Sequence, residues 1–221
     1  MIRGVLLDVD GTLLDSNDAH AEAFVQALAE NGYSVPFTRI RRLIGMGGDK
    51  LLQEAAGLEE DDPAARRITG RHGEIFKEQY LPHLKPFPRV RELLTRMRES
   101  GLKLVAASSA KKEELGALLQ AAGAEDLLDG QTSSTDVENS KPDPDIVRAA
   151  LEKVGCPAAQ VVMVGDTPYD VEAALRAGVA AIAVRCGGWR DEDLAGAVAI
   201  YDDPADLLAR YDESPLGGSH R

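Results

Sequence analysis

Val5-Leu6-Leu7-Asp8-Val9-Asp10-Gly11-Thr12-Leu13 decides how the rest of the chain is read. Ile2 to Leu7 is mostly apolar, with β-branched Ile2 and Val5, and fits a short buried strand. Two carboxylates then stand two residues apart, so an extended backbone would put Asp8 and Asp10 on one face. Gly11 breaks the strand and lets Asp10 swing relative to Asp8. At ~4 Å and an effective dielectric of about 20, two such charges repel by roughly 4 kcal/mol. A proton held on one of them, or a cation, would relieve that. Taken alone, Asp10-Gly11 reads equally well as an ordinary turn. Residues later in the chain decide between the two.

Downstream, Asp15-Ser16-Asn17-Asp18 is rich in helix-capping types. Ala19 to Asn31 then reads as an amphipathic helix with Ala21, Phe24, Val25, Leu28 and Ala29 on one side, closed by Asn31-Gly32. Helices are expected over Thr38–Ile44 and Asp49–Ala56, separated by Gly45-Met46-Gly47-Gly48. Asp61-Asp62-Pro63 opens another that runs to about Tyr80. Residues 16 to about 82 therefore hold helices and no convincing strand.

From Val90 the pattern alternates. Helices are expected over Val90–Ser100, Lys111–Ala122, Asp145–Val154, from Pro168 to Ala177, and over Ala205–Tyr211. Strands are expected over Lys103–Ala107, near Leu127–Gly130, over Val161–Val164 and over Val179–Val184. Asp212 to Arg221 reads as a frayed tail. Strands alternating with helices predict an α/β fold, a doubly wound parallel sheet, with an all-α insertion after the first strand. In that architecture ligands bind beyond the C-terminal strand ends. The strands deliver Asp8 and Asp10, Ser108, and Asp166 with Asp170 to that edge. The expected division is a core of residues 1–15 plus 84–221 and a helical insertion of residues 16–83, hanging over the edge as a lid.

Composition narrows the function. The 221 residues are 44% hydrophobic and 28% charged, ordinary for a globular chain with a sizeable core. A net charge of −12 leaves no basic surplus for nucleic acid. No apolar run approaches the ~20 residues of a membrane span. The N-terminus lacks a basic-then-apolar leader pattern. Cys156 and Cys186 have no metal-ligand spacing and read as two unpaired, buried thiols. The expected compartment is the cytoplasm, and the expected state a monomer or dimer.

Asp8-Val9-Asp10-Gly11-Thr12, Ser108, Lys141-Pro142 and Gly165-Asp166-Thr167-Pro168-Tyr169-Asp170 match, in order, the motifs of the haloacid dehalogenase-like hydrolase superfamily. The resemblance spans residues 5 to about 185. It implies a Rossmann-like core, and the insertion resembles the helical cap of phosphoglycolate phosphatases and β-phosphoglucomutases. It further implies that Asp8 attacks phosphorus and forms an aspartyl phosphate, and that Asp10 acts as general acid and base. Lys141 would keep Asp8 ionised. Mg²⁺ would be held by Asp8, the backbone carbonyl of Asp10, and Asp166, with Asp170 holding its water ligands. Ser108, the Ser109 N–H and Lys111 would cradle the phosphate at a helix N-terminus. Asp166 is also expected to cap the helix before Thr167-Pro168. Dehalogenases and phosphonatases of this superfamily lack an acid at the Asp10 position. Asp10 therefore argues against both, and against reading Lys50 as a phosphonatase lysine.

The substrate expected from the resemblance is a small phosphorylated metabolite. Ile44 to Leu52 resembles the cap loop of phosphoglycolate phosphatases, with Gly47 and Gly48 offering backbone N–H groups. The arginine with which β-phosphoglucomutases grip a second phosphate falls at Gly48, which counts against a mutase. His20 matches a hinge-helix histidine found in mutases and phosphatases; otherwise it reads as a surface residue. Arg39, Arg41 and Arg42 read as a solvated helix face. Trp189 packs on the cap or covers the core. A mutase-like phosphotransferase and a non-catalytic phosphate-binding module are the competing readings.

Overall fold

The computed structural model describes residues 1–218. The chain divides into two compact units, residues 1–15 with those from 85 onward, and residues 16–84.

The larger unit is built on a six-stranded sheet. Its strands are β1 (Gly4–Leu7), β2 (Lys103–Ala107), β3 (Gly130–Thr132), β4 (Val161–Gly165), β5 (Ala180–Val184) and β6 (Ala199–Tyr201). All pairings are parallel, and the order is β3-β2-β1-β4-β5-β6. Every residue of β1 and β4 is buried, as expected for strands covered on both faces. Leu6, Val105, Ala107, Met163, Ala181 and Ala183 form one face of the core with Ile146, Val147, Ala150, Val171 and Ala174. Those last five lie on the helices Asp145–Val154 and Pro168–Arg176. Order reverses between β1 and β4, so the crevice at the switch point lies between their C-terminal ends. Leu7 pairs with Ala106 on one side and Val164 on the other, so the strands run out within a residue or two of one another. Asp8, Ser108 and Asp166 are each the first residue past their strand.

The sheet differs from expectation at both edges. The third strand begins at Gly130, and Glu125–Leu127 is a single 3₁₀ turn. Asp129 explains the shift. Its N–H bonds the Leu104 carbonyl at 2.7 Å and its carboxylate accepts from the Leu104 N–H at 2.8 Å, so regular pairing starts one residue later. The sixth strand has three residues and pairs only with β5, too short for a hydropathy pattern to reveal. Nor does the tail fray as far as it is described. Tyr211–Glu213 forms a 3₁₀ turn, Leu216 is buried, and Ser214 accepts from the Leu216 N–H. Residues 219–221 of the expected tail lie outside the described residues.

The smaller unit contains α1 (Asn17–Glu30), α2 (Phe37–Leu43), α3 (Gly48–Ala56) and α4 (Pro63–Ile75). Pro63 opens α4 with the Asp62 carboxylate capping the Ala64 N–H at 2.7 Å. The α ladder stops at Ile75 instead of Tyr80. Phe76–Tyr80 is a π turn and Leu81–His83 a 3₁₀ turn, and Pro82 has no N–H with which to continue a helix. α1 packs on α4 and α2. Between α1 and the run of α4 into its π turn four rings stack: Phe24 on His72 at 3.7 Å between centroids, and His20 on Phe76 at 3.8 Å. His20 Nδ1 lies 3.3 Å from His72 Nε2. His20 is thus buried, not a surface residue. His72→Ala should cost about 2–4 kcal/mol of stability, the scale of a large-to-small core change. Chemical denaturation measures it, and a change under 1 kcal/mol would deny the stack a structural role.

Candidate active site

The first motif folds as a tight knot. The Val9 carbonyl accepts from the N–H groups of Thr12, Leu13 and Leu14, and Gly11 takes φ 78°, where other residues are strained. The knot turns the Thr12 hydroxyl inward, fully buried, 3.1 Å from Asp8 Oδ2 and 3.0 Å from Asp166 Oδ1. A hydroxyl has one hydrogen, so it can serve only one of these oxygens at a time.

Lys141 is buried to 0% exposure. Its ammonium donates to Asp8 Oδ1 at 2.6 Å and to the Ala107 carbonyl at 2.8 Å, and it forms an ion pair with Asp170 Oδ1 at 2.8 Å. Burial works against its charge, but Asp170 and Asp8 together outweigh it and hold its pKa above the usual lysine value. Asp8 goes the other way. Burial, then the charges of Asp170 and Asp10, push its carboxyl up to about 7 against the pull of Lys141. Lys141 is the group that pulls the Asp8 carboxyl back toward its charged form.

The motif after β4 differs from expectation in one respect. Thr167, not Asp166, caps the helix Pro168–Arg176, in a reciprocal box with Asp170. Asp170 Oδ2 accepts from the Thr167 N–H at 3.0 Å and its hydroxyl at 2.7 Å. Asp166 is left to face Thr12 instead. Asp8, Asp166 and Asp170, all buried, offer oxygens within 4.8 Å of one another. Three buried carboxylates, with Asp10 close enough to act on Asp8, stand against one ammonium. An all-oxygen donor set with surplus negative charge suits a hard divalent cation.

Ser108 is fully buried. Its N–H bonds the Thr132 carbonyl, and its hydroxyl oxygen accepts from the Ala110 N–H at 3.0 Å. A hydroxyl that accepts at oxygen keeps its hydrogen to donate. Ser109 is half-buried beside it. Lys111 is exposed at the N-cap of the helix Lys112–Ala121, outside the buried carboxylate cluster.

In the helical unit, Gly47 is the N-cap of α3 and Gly48 its first residue. Arg41 is tied to Asp18 at 2.6 Å and Arg39 to the Glu54 carbonyl at 2.6 Å, so these two act within their own unit. Trp189 packs on the core and meets Tyr169 edge-on at 5.9 Å. Neither cysteine forms a disulfide. Both are half-buried, and the Cys186 thiol lies 3.3 Å from the Gly11 carbonyl. Sequence reasoning missed the Thr12 bridge, the Lys141–Asp170 pair and the Ala107 carbonyl. Only Thr12 had a signal, its place beside two acids at a strand end.

A parallel α/β sheet with buried carboxylates and a lysine at its switch point places the chain among Rossmann-like proteins that bind ligands at the strand ends. Comparison with known proteins narrows it. The model of the haloacid dehalogenase-like hydrolase family matches residues 5–184. The phosphoglycolate phosphatase of Rhodospirillum rubrum is 30% identical over 216 residues, covering 94% of this chain and 90% of its own. The N-acetylmuramic acid 6-phosphate phosphatase of Pseudomonas aeruginosa is 28% identical over 218 residues, 96% of each chain. The crystal structure of a hydrolase from Pseudomonas syringae superposes with a TM-score of 0.89 at 30% identity, over 96% of this chain and 98% of its own. The chain belongs to the haloacid dehalogenase-like hydrolase family.

Among the described residues no helix is long and apolar enough to cross a membrane.

Proposed function

We propose that this phosphoric monoester hydrolase is a Mg²⁺-dependent phosphatase of small phosphorylated metabolites, working through an aspartyl phosphate on Asp8. The observation that carries the reading is the buried cluster of Asp8, Lys141, Asp166, Asp170 and Thr12 at the switch point. Relatives named for phosphoglycolate and N-acetylmuramic acid 6-phosphate support a small anionic metabolite. The free thiols support a reducing compartment, the cytoplasm.

An Asp8 oxygen attacks phosphorus as the ester P–O bond breaks. Asp10, protonated, gives its proton to the departing oxygen. It then takes a proton from the water that displaces Asp8 and releases inorganic phosphate. Lys141 offsets charge beside Asp8, and the Ser108 hydroxyl donates to a phosphate oxygen, with the Ser109 N–H as a second donor. Asp8, the Asp10 carbonyl and Asp166 would hold Mg²⁺, with Asp170 behind them. When bound, the ion supplies the positive charge that lets a carboxylate approach a phosphate dianion. Substrate choice falls to the helical unit, with Gly47, Gly48 and His20 the residues to vary first.

The test is phosphate release over a panel of phosphorylated metabolites, with and without Mg²⁺. It must include 2-phosphoglycolate and β-glucose 1-phosphate, with glucose 6-phosphate followed in parallel. Selective, Mg²⁺-dependent release is the expected result. Glucose 6-phosphate without free phosphate would make the enzyme a mutase. No turnover, with Mg²⁺ still bound, would favour a binding module. Asp10→Asn should lower turnover of alkyl phosphates by at least ~10²-fold, the scale of general acid–base catalysis. Unchanged rates would remove Asp10 from that role.

A further inference from the structure

The turn after β5, Arg185–Gly187, belongs to none of the motifs that drew attention to the site, yet it is fixed against two of them. Arg185 is held by Asp191 at 2.6 Å and Asp202 at 2.7 Å. Cys186 reaches the Gly11 carbonyl in the first loop. Trp189, just beyond, meets Tyr169 in the first turn of the helix Pro168–Arg176. Gly187 itself is buried against Asp166. A Cβ built on Gly187 would overlap Asp166 Oδ2 and lie 2.6 Å from its Cβ. Such contacts need a shift, and Asp166 is a buried acid tied to Thr12, not the loose end of a flexible side chain. The backbone does not explain the glycine, because Gly187 is not among the residues with positive φ, whereas its neighbour Gly188 is, at φ 89°.

We propose that Gly187 is a positioning residue for the cation site: its missing side chain is the space in which the Asp166 carboxylate sits. The inference rests on the cation-binding reading above and extends it to a strand end outside the family motifs. A side chain at 187 collides with the Asp166 Cβ as well as its carboxylate, so the backbone must shift along with the rotamer, and the carboxylate leaves its place beside Thr12, Asp8 and Asp170. Charge, nucleophile and general acid all remain, so the defect falls on metal affinity. Residues that orient metal ligands typically change affinity 10–100-fold when altered.

The experiment is calorimetric titration of the stripped protein with Mg²⁺, for the natural sequence and for Gly187→Ala. In parallel, the Mg²⁺ concentration giving half-maximal phosphate release from p-nitrophenyl phosphate is measured. The expected result is a Kd for Mg²⁺ at least ~10-fold weaker in Gly187→Ala, with the half-saturating Mg²⁺ concentration shifted in step. A Kd within twofold of the natural protein's overturns the proposal. A natural protein that takes up no Mg²⁺ overturns the cation site itself, and Gly187's part with it. Should Gly187→Ala not fold, Asp166→Gly and the double variant Asp166→Gly/Gly187→Ala are compared. Recovery of folding in the double variant supports a collision with Asp166. A double variant that stays unfolded while Asp166→Gly folds places the obstacle elsewhere and overturns the proposal.

Discussion

Asp8→Asn is expected to abolish phosphate release while raising the thermal midpoint of the metal-free protein. Loss of a nucleophile costs turnover by factors on the order of 10⁴–10⁶, because no remaining group can form the covalent intermediate. Stability moves the other way. Asp8 is buried, and its carboxyl is pushed up to about 7 from the unfolded value of 3.8 by burial and by Asp170 and Asp10. A folded-state pKa above the unfolded one contributes stability that is full below the unfolded value and lost as pH rises through the folded one. Near pH 4, then, the natural protein holds a proton on Asp8 and Asn gains little. At pH 8 the carboxylate is charged in the fold, and the neutral isostere relieves it while its amide oxygen still accepts from Lys141. The midpoint difference in EDTA should open between about pH 4 and pH 7, hold above that, and reach a few degrees. Full turnover in the variant would sink the nucleophile. A midpoint that falls at pH 8 would mean that the Lys141 pair outweighs burial at this site.

The same residues show how much the chain announces in advance. The central strands were legible because β1, β2 and β4 are fully or almost fully buried, which demands unbroken apolar runs. The edges were not: β3 is Gly-Gln-Thr, fixed by the Asp129 side chain, and β6 is three residues paired on one side. Asp8, Asp166 and Asp170 could be named from their places beside strand ends and Lys141 from the motif it resembles, and the fold does bring them together. Their partners could not be named. Lys141 and Asp170 are 29 residues apart, and only the sheet order makes them a pair at 2.8 Å. The fit of Gly187 to Asp166 is a matter of absent atoms, for which a sequence has no pattern. For His20 the sequence left two readings, a hinge-helix histidine or a surface residue. The fold excludes the second: its imidazole is buried beside Phe76 and His72, a polar ring accommodated by stacking and by a second ring nitrogen.

Lys141→Met should have the largest effect on the fold of any single change at the site. The side chain is buried to 0% exposure, and its ammonium faces Asp8 Oδ1, Asp170 Oδ1 and the Ala107 carbonyl. Methionine fills much of the volume but leaves two buried carboxylates and a carbonyl without their shared donor. Removing one partner of a buried ion pair costs about 3–5 kcal/mol, far more than the pair itself is worth against an apolar replacement. At roughly 2–4 °C per kcal/mol for a chain of this size, the metal-free midpoint should fall by about 10 °C. Arginine is no rescue, because its planar fork cannot direct three donors to the three points a lysine ammonium reaches. Two additions separate charge from packing. Mg²⁺ binds only the folded site and should recover part of the loss. Adding Asp170→Asn should recover more in EDTA, by removing one of the two stranded charges, so the two substitutions couple favourably. Turnover should stay at least ~10²-fold down in every combination, since none replaces the Lys141 ammonium beside the attacking oxygen. A Lys141→Met protein as stable in EDTA as the natural one would mean that Asp8 and Asp170 shed their charge without help, and that the lysine serves the reaction alone.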